Sequence, residues 1–585
     1  MKYNSILFLI LLSSLFKYCF AQQRPNVVII LADDLDDVVT PQFFPEVLPF
    51  TDSLMKESIV FTNSFVPMSV CCPSRAATLS GKYAHKTRVF NNGGDFGGRK
   101  TFIDDEPKTV AAILAKSGYR TAMIGKYLNG FHFKRKELPA VPYGWTDGVL
   151  HINPRLRPYK GYDYKLIHWN NGIALNDTAW KVTQNVTEHG HKPEDYSTDV
   201  FTKEAKLFLN STEENDEQPF FLFLTPTAPH FPIPPAPRHR QKTLENWANK
   251  SIPARPNTFN DKGKLATDDE LKKPLDKSDW LKKSWKKRQR QKDKGRWLYN
   301  FAFENVPRQI KAYKDADWFH RMGSLYALDE MVRDVVKLLK ENNEFDNTVF
   351  IFTSDNGYQF GNHSLYQKAT PYEEAIRVPL MIAAGKNLQV KQKISVPEWV
   401  TNLDLMPTIL RFAELEIPDD VDGVPLKELI TEGSSTATAS FTRDKILFEY
   451  NGPGMMGYLT KAYWLQFRGL PSYYLDQPAF RAIRMKMKDD NKEERIFKYI
   501  EWQRYPQLDK FRELLENNDP ELKKKLEAKN KRTLQKVTKA GKTDIELYDI
   551  TNDPYEMDNL LYYKPDEYKN IAELLKNELY QLMKK

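Results

Sequence analysis

Short apolar runs stopped abruptly by polar residues recur along this chain. Asn26–Ala32 reads NVVIILA and stops at Asp33-Asp34, and residues 119–124 stop at Gly125-Lys126. Residues 220–224 stop at Thr225-Pro226-Thr227-Ala228-Pro229-His230, and residues 348–353 at Ser354-Asp355-Asn356. Continuous rather than alternating apolar character predicts strands buried on both faces. Helices are predicted between them. Leu325, Leu328, Val332, Val335 and Leu339 recur at helical spacing, and residues 109–116 form a second periodic stretch with Gly118 placed as a C-terminal cap. Alternating helix and strand predicts an α/β fold whose mainly parallel sheet is flanked by helices. In such sheets the site lies beyond the carboxyl ends of the strands. Here four strand ends deliver two acids, a lysine, a histidine and an Asp-Asn pair.

The pattern changes after about Phe441. Residues 445–450 and 495–500 read as short strands, and residues 508–539 as a charged helical segment. Residues 22–440 are therefore expected to form a catalytic domain, and residues 441–585 a smaller α+β subdomain with an antiparallel sheet. Residues 1–21 read as a secretory leader: Lys2 ahead of an apolar run from Ile6 to Phe16, then Cys19-Phe20-Ala21 before a start near Gln22. That run is shorter than the roughly 20 apolar residues of a membrane span, and no later stretch reaches that length. Sequons at Asn176, Asn185, Asn210 and Asn249 agree with export. A fifth, at Asn362, falls among candidate site residues and is not expected to carry a glycan.

Charge and cysteine content refine this picture. The net charge of +9 is partly local, because residues 281–296 read LKKSWKKRQRQKDKGR within a basic insertion at about 238–296. This stretch reads as a solvated face or as a patch for a polyanion such as a sulfated glycan; nucleic acid does not suit an exported chain. Beyond the leader the only cysteines are Cys71 and Cys72. Adjacent cysteines rarely bridge each other, since disulfide geometry strains the intervening peptide. The pair therefore serves chemistry or packing.

Cys71-Cys72-Pro73-Ser74-Arg75, followed by Leu79-Ser80-Gly81, resembles the Cys-X-Pro-Ser-Arg signature of type I sulfatases. The resemblance runs from Arg24-Pro25-Asn26 to the stretch ending Asp553-Pro554-Tyr555-Glu556, and threonine is commoner where Ser80 stands. It implies an alkaline-phosphatase-like core. It also implies that a formylglycine-generating enzyme oxidises Cys71 to formylglycine (3-oxoalanine) during export, with Cys72 filling the X position. The local physics agrees: Pro73 suits a first helical turn, Ala76, Ala77 and Leu79 favour a helix, and a helix N-terminus favours an anion.

Asp33, Asp34, Asp355 and Asn356 form an all-oxygen set suited to a hard cation. The resemblance implies that they and residue 71 bind Ca²⁺, with Mg²⁺ also compatible. Asp36 and Asp37 are expected at the surface or behind the ligands. The resemblance further assigns Arg75, Lys126, His230 and Lys368 to the sulfate group and its surroundings. Leu128 replaces a histidine that many relatives carry after Gly-Lys-Trp. The implied chemistry has two stages. A hydroxyl of the hydrated aldehyde, activated by metal and Asp355, attacks sulfur while His230 or Lys368 protonates the leaving alcohol; sulfate is then expelled and the aldehyde re-forms.

The form Gly125-Lys126-Tyr127-Leu128-Asn129 points to the glucosamine-6-sulfatase branch. Its substrates would be 6-sulfated N-acetylglucosamine units of a glycosaminoglycan, with His363 and the basic insertion as candidate sugar contacts and a lysosomal or extracellular location. Three alternatives stand beside it. One is an arylsulfatase of other specificity, and another an unmodified, non-enzymatic binder of sulfated glycans. The third, a phosphatase or phosphodiesterase, would want a Ser or Thr nucleophile and a richer His/Asp set.

Overall fold

A computed structural model describes residues 24–584 apart from 258–312, 432–442, 452–478, 504–543 and several shorter stretches. The expected leader, most of the basic insertion and the charged segment 508–539 lie outside the described residues.

The large sheet begins with β1 (Asn26–Ala32), β2 (Ile59–Phe65), β3 (Arg120–Gly125), β4 (Asp147–His151) and β5 (Tyr164–Trp169). It is completed by β6 (Asn185–His189), β7 (Phe220–Thr225), β8 (Thr348–Ser354), β9 (Leu380–Ala384) and β10 (Ile394–Thr401). Their spatial order is β10-β2-β9-β8-β1-β7-β3-β4-β5-β6. The central run β8-β1-β7-β3-β4 is parallel throughout. β9 is antiparallel to both neighbours, and β5 and β6 finish the far edge as antiparallel strands. All four apolar runs read from the sequence are members of the parallel centre.

Alternate residues of β1 feed two cores. Val28, Ile30 and Ala32 pack with α3 (Ser197–Thr212) and the long α4 (Tyr313–Glu341), through residues such as Val200, Phe201, Met322 and Leu325. Val27, Ile29 and Leu31 pack on the opposite face against α1 (Cys71–Ser80), α2 (Val110–Lys116) and α5 (Leu405–Phe412), through Cys72, Ala76, Val110, Leu405 and Ile409. Thr109 caps α2, its side chain accepting from the Ala112 amide, and Gly118 follows at φ 93°. Helices thus cover both faces of a sheet whose strands β1, β7 and β8 are buried along their whole length.

The C-terminal sheet is an antiparallel meander of β11 (Lys445–Tyr450), β12 (Ala479–Lys488), β13 (Glu494–Gln503) and β14 (Asp544–Asp549). One face packs on α6 (Pro565–Leu582) through Leu447, Ile483, Leu547, Leu575 and Leu579. Ile446, Phe448, Ile500 and Tyr548 on the other face join a core with Phe65, Tyr372, Trp399 and Val70. Since Val70 immediately precedes Cys71, this sheet buttresses the start of α1. Of the sequons, Asn185, Asn210 and Asn249 are exposed. Asn362 is 1% exposed and donates to Asn257 Oδ1 at 3.0 Å, so it is unfit for a glycan.

Candidate active site

Register decides which side chains meet at the carboxyl edge of the sheet. Ala32 pairs with Ser354 across β1 and β8, so Asp33-Asp34 and Asp355-Asn356 leave their strands side by side. The Asp355 amide donates to Ala32 O at 3.1 Å, and the Asp34 amide to Asp355 Oδ1 at 3.1 Å. Asp34 has a φ of 71°, a left-handed turn that Asp tolerates better than most residues. This lets the carboxylates of two consecutive residues face one place. On the other side Gly125 pairs with Thr225, and the Lys126 amide donates to Thr225 O at 2.9 Å. Gly125 sits at φ 114°, and a Cβ there would lie 2.1 Å from Thr225 O. Only glycine permits this exit from β3.

From the opposite side α1 supplies the sulfur. Val70 is extended, and the helix runs from Cys71 until Gly81, which ends it at φ 67°. Asn402 Nδ2 donates to Ser74 O and to the Ser74 and Thr78 hydroxyls, anchoring the fully buried helix. Cys71 Sγ lies 2.6 Å from Lys368 Nζ and 3.9 Å from Asp34 Oδ1. Cys72 turns into the apolar core, so the two cysteines have separate surroundings. One helical turn beyond Cys71, Arg75 Nε donates to Asp355 Oδ2 at 2.8 Å and one terminal nitrogen to Lys126 O at 2.6 Å. Lys126 Nζ pairs with Asp33 Oδ2 at 2.7 Å, and Lys368 Nζ with Asp34 Oδ1. His230 Nε2 lies 3.6 Å from Asp34 Oδ2 while its Nδ1 faces Phe231 O. A carbonyl can only accept, so in the neutral ring Nδ1 holds the proton and Nε2 the lone pair.

These charges are buried together, which sets their protonation. Burial pushes the Asp33 and Asp34 carboxyls up. Lys126 and His230 at Asp33, and Lys368 and His230 at Asp34, outweigh it and hold both below the usual range. Burial opposes the charge on Lys368, but Asp34, Cys71 and Asp355 keep the ammonium well above its ordinary value. Burial pushes His230 down against the pull of Asp34 and Asp33. The Cys71 thiol is pushed up to about 12, chiefly by burial. An unmodified Cys71 is therefore a neutral thiol and a poor nucleophile, since the thiolate is the reactive form.

The donor set fits a hard cation. Asp33 Oδ1 and Asn356 Oδ1 are buried and make no hydrogen bond. Ligand atoms of Asp33, Asp34, Cys71 and His230 lie within 4.8 Å of one another. Carboxylate and amide oxygens are what Ca²⁺ or Mg²⁺ takes.

All nine residues expected at the site, Asp33, Asp34, Cys71, Arg75, Lys126, His230, Asp355, Asn356 and Lys368, meet in this cluster. Asp36 takes the interior one of its two expected places. It is fully buried, and its carboxylate accepts from the amides of Val38, Val39 and Thr40, capping the turn that leads away from the site. His363 is 1% exposed and stacks on Tyr372 at 4.0 Å. Leu128 is buried in the apolar core. The sequence reading missed Arg321, which donates to Asp34 O at 2.5 Å and lies over the Tyr358 ring at 4.1 Å. A charge within the apolar stripe of α4 was its one visible signal. It also missed His151, whose position depends on strand register.

Comparison with known proteins agrees with this geometry. The profile of the Sulfatase family matches residues 25–415. N-acetylglucosamine-6-sulfatase of Capra hircus is 31% identical over 443 residues, covering 74% of this chain and 67% of the relative. N-acetylglucosamine-6-O-sulfatase of Bacteroides thetaiotaomicron is 26% identical over 455 residues, covering 71% and 72%. Among solved structures, a protein in complex with its substrate D-glucosamine-2-N,6-O-disulfate superposes with a TM-score of 0.59 at 22% identity, covering 96% of this chain and 98% of that one. A phosphonate monoester hydrolase of Silicibacter pomeroyi superposes at 0.61 with 19% identity, covering 96% and 95%. The alkaline-phosphatase-like fold therefore hosts more than one reaction, and the family match decides between them. The chain belongs to the sulfatase family and is a sulfuric ester hydrolase.

Proposed function

We propose that this sulfatase hydrolyses 6-sulfated N-acetylglucosamine or a closely related sulfated sugar, using a formylglycine made from Cys71 and a divalent cation, Ca²⁺ by expectation. The observation that carries this reading is the placement of Cys71 at the start of α1, against Lys368 and Asp34, beside the oxygen cluster. When present, the hydrated aldehyde supplies a hydroxyl nucleophile, and the cation polarises the sulfuryl oxygens. Asp33, Asp34, Asp355 and Asn356 would hold that cation. Lys126, Lys368 and Arg75 offer fixed positive charge where negative charge builds on the sulfuryl group. Lys368 flanks Asp34 as an ammonium and can deliver a proton to the leaving alcohol, as can His230 once its Nε2 has taken up a proton. The sugar reading is supported by the names of the relatives in the two organisms above and by the substrate of the structural neighbour. The leader-like start and the three exposed sequons support a secretory route to a lysosomal or extracellular location.

Mass spectrometry of the peptide containing Cys71, from protein exported by its natural route, should show the aldehyde. Cys71→Ala should abolish turnover of an aryl sulfate and of N-acetylglucosamine 6-sulfate while leaving the fold intact. A fully retained thiol with undiminished turnover would refute the mechanism.

A further inference from the structure

His151 closes β4, the strand next to the one that delivers Lys126. Gly125 pairs with Leu150 in parallel register, so Lys126 and His151 follow as the next neighbours on the site edge. Both belong to the face of Ala122, Ile124 and Val149. The imidazole is 8% exposed and is held edge-on by Tyr164 and Phe201, each with ring centroids 5.0 Å away. Both its ring nitrogens are buried, and neither makes a hydrogen bond among the described residues. A buried polar group is almost always paired, and leaving one unpaired costs roughly 1–3 kcal/mol. An aromatic cage that needed only a ring could hold phenylalanine without that penalty.

Position along the sheet edge says what such a group could meet. Neighbouring strands lie about 4.8 Å apart, which puts β4 roughly 14 Å from β1 and its two carboxylates. Lys126, one strand nearer, reaches Asp33 with its long side chain. The shorter His151 stands one strand farther from the carboxylates than Lys126, on the same edge of the sheet. Burial drives its pKa down to about 3, so the ring is neutral and offers one donor and one acceptor.

We propose that His151 contacts the sugar that carries the sulfate, hydrogen-bonding a ring hydroxyl or the N-acyl group, and thereby favours sugar sulfates over simple aryl sulfates. The inference rests on the sulfated-sugar reading above. Its test compares His151→Phe, which keeps a ring in the aromatic cage, and His151→Asn, which keeps polar atoms, with the parent enzyme. Each is assayed on p-nitrophenyl sulfate and on N-acetylglucosamine 6-sulfate. His151→Phe should lose tenfold or more in kcat/KM on the sugar, mostly through KM, and stay within twofold on the aryl ester. His151→Asn should recover part of the loss. Unchanged sugar turnover in His151→Phe, or a parallel loss on both substrates, would overturn the role. Failure of the parent enzyme on the sugar would instead refute the substrate reading, which separates the two failures.

Discussion

Arg75 Nε donates to Asp355 Oδ2 at 2.8 Å, with the arginine side chain 1% exposed and the carboxylate sealed completely. This bond ties the first turn of α1 to the end of β8, the two elements that deliver Cys71 and the Asp355-Asn356 pair. The same guanidinium holds Lys126 O at 2.6 Å, so one side chain spans three walls of the site.

Removing it should harm both fold and activity. Arg75→Ala leaves buried carboxylates without their counter-charge, a change worth about 3–5 kcal/mol. Arg75→Lys keeps the charge but loses the fixed fork and should fall between. Chemical denaturation together with aryl sulfate turnover would check this. An Arg75→Ala protein as stable and active as the parent would refute it.

On the proposed function, the oxygen cluster holds a cation on which activity depends. Dialysis against a chelator should reduce sulfate release at least tenfold, with Ca²⁺ restoring it. Thermal stability should fall in parallel, because Asp33, Asp34 and Asp355 then face one another with only side-chain cations between them. Full turnover in protein shown by elemental analysis to be free of metal would contradict the assignment.

Two groups on α4 should oppose each other as pH changes. Burial raises the Asp317 carboxyl to about 6, and burial lowers His320 to about 4. The aspartate contributes stability below its unfolded pKa of 3.8 that is lost as pH rises towards 6. The histidine disfavours the fold as pH falls from 6.5 towards 4. Between pH 4 and 6 the slopes cancel. Asp317→Asn should expose the histidine slope, so that stability drops by about 1.4 kcal/mol per unit as pH falls through that range. Urea denaturation at several pH values would show it; parallel profiles for parent and variant would count against it.

Gly125 guards the exit of Lys126. Adding one methyl places carbon 2.1 Å from Thr225 O at a φ of 114°, so the strand end must move. Gly125→Ala should lose several kcal/mol of stability and most activity, whereas Gly118→Ala, with open space around it, should lose only the strain of its φ. Equal behaviour of the two variants would show that the close approach at Gly125 is not decisive.

Strands β1, β3, β7 and β8 of the parallel centre were legible because strands buried on both faces are apolar at nearly every position. β2, β4, β5, β6 and β10 were not, since their mixed patterns resemble loops or helix faces, and β9, though apolar throughout, is a five-residue run that periodicity alone does not separate from a buried helix segment. In the C-terminal sheet, β11 and β13 show as short apolar stretches in the sequence, whereas charged residues interrupt β12 and β14. For Asp36 the acidic run leaves surface and interior both open; a turn folding back over its carboxylate buries it.

Local sequence determined the residue types available for chemistry and, through the residues around Cys71, the family of the chain. Tertiary structure alone decided that Arg321 supports Asp34 and that His151 stands beside Lys126. It also set Cys71 towards the charges and Cys72 towards the core. These are relations between segments distant in the chain. They depend on strand register, where a shift of one residue turns a side chain to the opposite face, and no local pattern records that choice.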